Sequence, residues 1–383
     1  MKIAIVRREP KVAFSMDVYA DNLVAELRTI RPNWEIVEIA PQPWSKDLEN
    51  LWQSGNPLRK YYERFYNHPR AVKELDADLF HIIDHTNAHV AYWLEKLGKP
   101  VVVTCHDLVQ YIYPEILKNQ SRFPAFSMAV WKYSVRGIQV ADRTIAVSSN
   151  TAKDISNWLD VNLERIAVVP NGVESEFRPL PKDIVREWRS QYSSSDDEIC
   201  LLNIGSTHQR KNILTILKVV KSIAERGISV RLWKISDDFS PEQQQYIKEH
   251  GLSEHITFIG KCDRESLIRF YNAADVLLAP SFYEGFGLTI LEAMACGTPV
   301  ITANVSALPE VAGDAAILLS PTDIEGIANA VLQLHRDLAW TQTLIQKGLE
   351  RVKSFSWNSS VRQIVDVYEQ LTVDLSEPTI VNS

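Results

Sequence analysis

The feature that most constrains this chain is a repeated rhythm of strand-length apolar runs set between amphipathic stretches of helix length. In the first half the runs are KIAIV (2–6), WEIVEIA (34–40), ADLFHIID (77–84), PVVVTCHD (100–107), RTIAVS (143–148) and ERIAVVPNG (164–172). The rhythm pauses at PNGVESEFRPLP (170–181), where three prolines and a glycine make a linker. It restarts with ICLLNIG (199–205), SVRLWKI (229–235), ITFIG (256–260), DVLLAPS (275–281), PVITA (299–303) and AAILLS (315–320). Helices are expected over 19–30, 212–226, 241–250, 264–273, 323–335 and 338–353. Strands alternating with helices indicate parallel βαβ units, and continuous apolar strands suit a sheet covered on both faces. A length of 383 residues exceeds what one core usually serves. The expectation is an α/β protein of two doubly wound, Rossmann-like domains.

Composition narrows the function. Hydrophobic content of 45% and charged content of 23% belong to an ordinary globular protein. A net charge of -7 and a pI near 5.8 argue against a nucleic-acid partner. Cys105, Cys200, Cys262 and Cys296 are dispersed, with no metal-ligand spacing, so neither a zinc site nor any other metal is expected. They read as reduced, buried thiols. The apolar part of MKIAIVRREP is short for a signal peptide, and no run is long enough to span a bilayer. A cytoplasmic protein is expected, with DLSEPTIVNS (374–383) as a loose tail.

In doubly wound folds ligands bind beyond the carboxyl ends of the strands. That rule selects the loops after Val6, Asp84, His106, Gly205, Gly260 and Ser281. In NIGSTHQRKN (203–212), Gly205 ends a strand, and Arg210 and Lys211 precede a helix. Two cations beside helix amides suit a diphosphate, although a solvated basic loop would read the same way. The loop is neither a GxxxxGK[ST] nor a GxGxxG motif. In EGFGLTILEAMACGTPV (284–300), Gly285, Phe286, Gly287 and Leu288 present amides at the start of a helix that stops at Gly297 and Pro299. Glu292 lies in an otherwise apolar run, an unfavourable place for a carboxylate. A carboxylate repels a diphosphate but accepts hydrogen bonds from a sugar diol. Glu292 can therefore hold a ribose, and Glu284, in the loop itself, lies nearer a reacting sugar. The plainer alternatives are a Glu292 paired with a neighbouring Arg or Lys, and an exposed Glu284.

The stretch EGFGLTILEAMACGTPV, with its E-x7-E spacing, resembles the signature of the retaining group 1 glycosyltransferases of GT-B fold. VSSNTAKDI, VVPNGVESEFRP, NIGSTHQRKN, ITFIG and FYNAADVLLAPS extend the resemblance over most of residues 140–360. Upstream it rests on VVTCHDL and HIIDHTNAH. The resemblance implies two Rossmann-like domains facing a central cleft: 1–172 on the acceptor side, 173–355 binding a nucleotide-sugar donor, and a return helix with its tail over 356–383. It assigns Arg210 and Lys211, after Gly205, to the phosphates, Glu292 to the ribose and Glu284 to the donor sugar. It also places His106 at the sugar, Lys261 and Cys262 against the base through their backbone, and Gly285–Leu288 at the donor. Two departures stand out. The glycine-rich first loop of the family is replaced by REPKVAFSMDVYADN (8–22), and Ser206 stands where an arginine is frequent.

The expected activity is transfer of a hexose, with retention and without metal or cofactor, from a nucleoside-diphosphate sugar to a hydroxyl of a glycan or lipid-linked saccharide. UDP-glucose is favoured as a common donor, with GDP-mannose the alternative. Charge on the departing phosphate would be met by amides and cations. Competing classes are a nucleotide-sugar sensor and an epimerase on the same architecture. A metal-dependent transferase would need a DxD motif, and the only candidate, Asp76–Asp78, precedes a strand rather than following one. PLRKYYERFYNHPR (57–70) and SRFPAFSMAVWKYSVR (121–136) mix cations with aromatic rings. They suit peripheral contact with an anionic membrane, or ordinary amphipathic helices covering the first domain. A monomer or weak dimer is expected.

Overall fold

Every apolar run of the sequence becomes or overlaps a strand, because a run that is apolar on both faces is stable only with helices packed on each side. The computed structural model describes all residues except 11, 13, 48–50, 53–55, 117–122, 196 and 374–383. The tail, part of the first loop and the start of the second aromatic stretch therefore lie outside the described residues. The chain forms two units, Met1–Gly172 with Trp357 onward, and Val173–Ser356.

In the first unit the strands are β1 (Lys2–Val6), β2 (Glu35–Ile39), β3 (Leu79–Ile82), β4 (Val101–Cys105), β5 (Arg143–Ala146) and β6 (Ile166–Val168). They form one parallel sheet of order β2-β1-β3-β4-β5-β6. Side-chain alternation divides the core between the sheet faces. Ile3, Ile5 and Val102 join one apolar cluster, and Ala4, Val6, Val101, Val103 and Cys105 join the other. The first cluster is covered by the helices Phe14–Ile30 and Trp357–Val373, the latter burying Val361, Ile364, Val365 and Tyr368. Arg31 pairs with Glu369 at 2.8 Å, and Asn358 donates to Glu26 at 2.8 Å, fixing the returning helix against the first. Beneath it, buried His81 meets the Tyr368 hydroxyl at 2.5 Å and Thr104 Oγ1 at 2.7 Å. Burial holds this imidazole neutral, with a pKa of about 3.

Two irregularities have local causes. The stretch from Pro57 to Lys73 is helical but opens into a wider turn over Glu63–Asn67. Pro69 offers no N–H and would crowd the carbonyl four residues back, so the helix relaxes ahead of it. Gly137, after the helix Pro124–Arg136, sits so close to the Ala88 carbonyl that a Cβ would overlap it. Asp78 lies at the amino end of β3 and accepts from the Lys2 amide at 2.7 Å, a structural turn.

The second unit repeats the plan with β7 (Ile199–Gly205), β8 (Val230–Ser236), β9 (Ile256–Gly260), β10 (Val276–Ala279), β11 (Val300–Ala303) and β12 (Ile317–Leu319). Their order is β12-β11-β10-β7-β8-β9, again parallel. The carboxyl ends of β7 and β10 are thus adjacent, which brings the two loops singled out above together. The contact at Gly137 gives a prediction. Gly137→Ala should lower the unfolding free energy by about 1–3 kcal/mol or more, measured by urea denaturation; wild-type stability would refute the close approach.

Candidate functional site

The loop after β7 and the loop after β10 are joined by backbone before any side chain is considered. The Phe282 amide donates to the Arg210 carbonyl at 2.7 Å. Asn212, in left-handed backbone at φ 57°, donates its buried amide to the carbonyls of Pro280 and Pro321, at 3.0 and 2.6 Å. This is a conformation asparagine tolerates better than most residues. Asn203 spans β7 to β10 by donating to the Leu278 carbonyl at 2.9 Å.

On this frame sits a three-residue ion cluster. Arg210 Nη1 donates to Glu284 Oε2 at 2.8 Å and Lys211 Nζ to Glu284 Oε1 at 2.6 Å. The Ser281 hydroxyl adds a third donor to Oε1 at 2.8 Å, and the Glu284 amide is held by Ser306 Oγ at 3.0 Å. Burial alone would raise the Glu284 pKa, but Lys211 and Arg210 overrule it and hold the carboxyl at about 2. The exposed Glu284 of the plainer reading is thus corrected: cations from the neighbouring loop draw it inward. Two cations against one carboxylate leave the cluster positive. Lys211 runs over Gly205, whose φ of 125° suits glycine alone.

Gly287, at φ 108°, starts the helix Leu288–Ala295, so the amides of Gly285–Leu288 lie at its positive end. The ring of Phe286 is buried and meets Phe355 edge-on at 5.9 Å, leaving only its backbone for a ligand. Glu292 is buried on this helix and accepts from the Tyr271 hydroxyl at 2.5 Å. Burial pushes its pKa up to about 7, with the Tyr271 bond opposing. Its hydrogen-bond partner is therefore a phenol rather than the Arg or Lys of the plainer reading. Lys261 is exposed and Cys262 half-buried beyond β9, where Asp263 caps the next helix through the Ser266 amide at 2.8 Å.

His106 belongs to the first unit. Its Nε2 lies 2.8 Å from the Ile83 carbonyl, which can only accept, so Nε2 carries the proton. Burial lowers its pKa, Asp84 opposing, and Tyr19 packs edge-on at 4.8 Å. Nearby, Arg8 pairs with buried Asp84 at 3.0 Å. Burial would raise the Asp84 pKa, but Arg8 and His85 depress it well below the carboxylate range. Among the described residues no group of three His, Cys, Asp or Glu is placed to hold a metal ion.

Sequence reasoning missed Lys234. It is fully buried on β8 and donates to the carbonyls of Gly205 and Ile235 at 2.6 and 2.9 Å. Burial lowers its pKa to about 8. It locks the start of the loop after β7 and adds positive charge beneath it. A lysine inside the apolar run RLWKI was the available signal. Tyr271 was missed as well, and nothing in its sequence position pointed to Glu292.

Each unit is thus a parallel doubly wound sheet, and in the second the basic and amide-rich loops lie at adjacent strand ends. The family described as glycosyl transferases group 1 matches residues 184–351, and the family described as glycosyltransferase family 4 matches residues 15–177. O-antigen chain mannosyltransferase B of Escherichia coli is 29% identical over 310 residues, which is 79% of this chain and 78% of that protein. Serotype-specific mannosyltransferase WbdA of Escherichia coli is 25% identical over 79% of this chain, a span covering 38% of its own length. Sucrose-phosphate synthase from Thermosynechococcus elongatus has a TM-score of 0.75 at 24% identity, over 98% of this chain and 100% of that one. HepE of Anabaena, solved with UDP and glucose, reaches 0.75 at 18% identity, over 97% of this chain and 100% of that one. These two likenesses speak to the fold alone. The second unit thus matches the group 1 family and the first unit family 4, and the chain is a glycosyltransferase of the GT-B type.

The Glu292 environment predicts a stability cost at neutral pH. Folded Glu292 titrates near 7 against an ordinary 4.5, so folding favours the protonated form. Its favourable contribution is complete below about 4.5 and is lost as pH rises through about 7. Glu292→Gln should therefore be more stable than wild type at pH about 8, by up to about 3 kcal/mol, with the difference shrinking towards pH about 5. Urea unfolding at both pH values checks this; a difference independent of pH would contradict it.

Proposed function

We propose that this chain transfers a mannosyl group, with retention and without a metal, from GDP-mannose to a hydroxyl of a glycan or lipid-linked saccharide. The observation that carries the reading is the Arg210–Glu284–Lys211 cluster beside the amides of Gly285–Leu288, with buried Glu292 on the same helix. Arg210, Lys211 and the amides would receive the diphosphate, and Glu292 the ribose diol. Lys261 and Cys262 would flank the base through their backbone. UDP-glucose has only its abundance as a donor to favour it. The names of the relatives, O-antigen chain mannosyltransferase B and WbdA, favour mannose and a glycan acceptor.

In the proposed chemistry the cations and amides are in place before the reaction, so charge on the leaving phosphate is stabilised without reorganisation. The departing phosphate takes the proton of the acceptor hydroxyl on the face where the new bond forms, which retains the anomeric configuration. Glu284, held ionised, orients sugar hydroxyls, and neutral His106 contacts the sugar and steadies its developing positive charge.

Calorimetry with GDP-mannose and UDP-glucose, in EDTA, tests the donor. Tighter binding of GDP-mannose is expected, and binding that needs a divalent ion, or no binding, would overturn the reading. Lys211→Ala and Glu292→Ala should each weaken donor binding about tenfold to a hundredfold. Wild-type affinity should fall below pH about 7 as Glu292 takes up its proton. His106→Ala should reduce turnover more than affinity. A β product from the α-linked donor, read by proton NMR, would refute retention. Release of nucleotide and sugar without an acceptor would point to the epimerase.

A further inference from the structure

We infer that the first unit docks on an anionic lipid surface through an aromatic face built by the segments Pro57–Lys73 and Pro124–Arg136. Among the described residues, six of the thirteen exposed large hydrophobic side chains lie on this face: Leu58, Tyr62, Tyr66, Phe123, Phe126 and Tyr133, each 45–77% exposed. In the first segment they recur every four residues, at 58, 62 and 66; in the second, Phe126 and Tyr133 are seven residues apart on the helix and Phe123 immediately precedes it. Ring contacts join the two segments through the half-buried Tyr61 and Phe65, which lie next in sequence to the exposed Tyr62 and Tyr66. Tyr62 and Tyr66 lie 5.3 Å apart, Tyr61 reaches Phe126 at 5.7 Å, and Phe65 reaches Tyr133 at 6.2 Å. Scattered exposed apolar residues need no explanation, but a contiguous patch of this kind does.

Charge selects the occupant. Residues 57–74 and 124–136 together carry seven Lys or Arg against two Glu, in a chain whose net charge is -7. Glu63 is turned inward, accepting from the Gln42 amide at 2.7 Å and from Asn67 at 2.7 Å, and Glu74 is paired with Arg70 at 2.8 Å. Arg64 also turns in, donating to the Thr86 carbonyl at 2.7 Å, and Arg70 is taken by Glu74, so the two segments keep Arg59, Lys60, Lys73, Lys132 and Arg136 beside the aromatic rings, the composition that settles at the headgroup level of an anionic bilayer. A second copy of the chain fits worse, because self-complementary pairing would set one basic rim against another. No helix among the described residues is long and apolar enough to cross a membrane, so the contact is with the surface. The inference does not depend on the donor assignment, since all these residues lie in the first unit.

Vesicle flotation tests it, using phosphatidylcholine vesicles with and without phosphatidylglycerol. Wild type should float only with the phosphatidylglycerol vesicles, and binding should fall as salt is raised. Arg59→Glu with Lys132→Glu should weaken binding on the order of tenfold or more. Phe126→Ser should weaken it too, while donor calorimetry on each variant stays at the wild-type value and confirms folding. If Phe126→Ser fails to fold, the charge variant alone decides. Absence of flotation, or equal flotation on phosphatidylcholine alone, would overturn the proposal. So would sedimentation velocity showing a dimer that Phe126→Ser dissolves, in a protein that binds no vesicles.

Discussion

The second unit depends on one interaction, the capture of Arg210 and Lys211 by the single carboxylate of Glu284. All three side chains are largely buried, so leaving any of them unpaired would cost about 3–5 kcal/mol. Glu284 ties two long side chains, otherwise rich in rotamers, into one geometry. The cluster keeps an excess positive charge, and a neighbouring helix presents its amino end. An anion arriving there finds donors already ordered, and ordering is a main part of what binding costs.

The parallel sheet makes this possible. β7 and β10 are neighbours although Arg210 and Glu284 in their loops lie 74 residues apart in sequence, and both run in the same direction. Their carboxyl ends therefore open side by side, and Asn212 and Asn203 fasten them with side chains buried among backbone carbonyls, while Lys234 holds the end of β7 from the neighbouring β8. In the first unit a different polar chain, Tyr368–His81–Thr104–Tyr19, runs under the sheet's returning helix and ends against His106.

The strands were legible because continuous apolar runs of that length have few other stable uses, and each overlaps an observed strand. The helix Lys182–Ser190 was not, since it follows the linker and buries none of its residues fully. The loops after β7 and β10 could be picked out, because strand ends followed by glycine and cations obey a general rule of parallel folds. The pairing of Arg210 and Lys211 with Glu284 could not, since sequence spacing carries no distance between loops of different strands. Glu292 could be singled out by its apolar neighbours, while its partner Tyr271 lies on another helix. Lys234 looked like a strand residue and proved to be a fastening.

The central claim is that the ion cluster, the helix amides and Glu292 form one donor site. A crystal structure of the protein with GDP-mannose tests it most directly. The account predicts diphosphate oxygens within hydrogen-bond distance of Lys211, Arg210 and the Gly285–Leu288 amides, and ribose hydroxyls about 2.5–3.0 Å from Glu292. A nucleotide bound elsewhere, or a ribose turned away from Glu292, would contradict it.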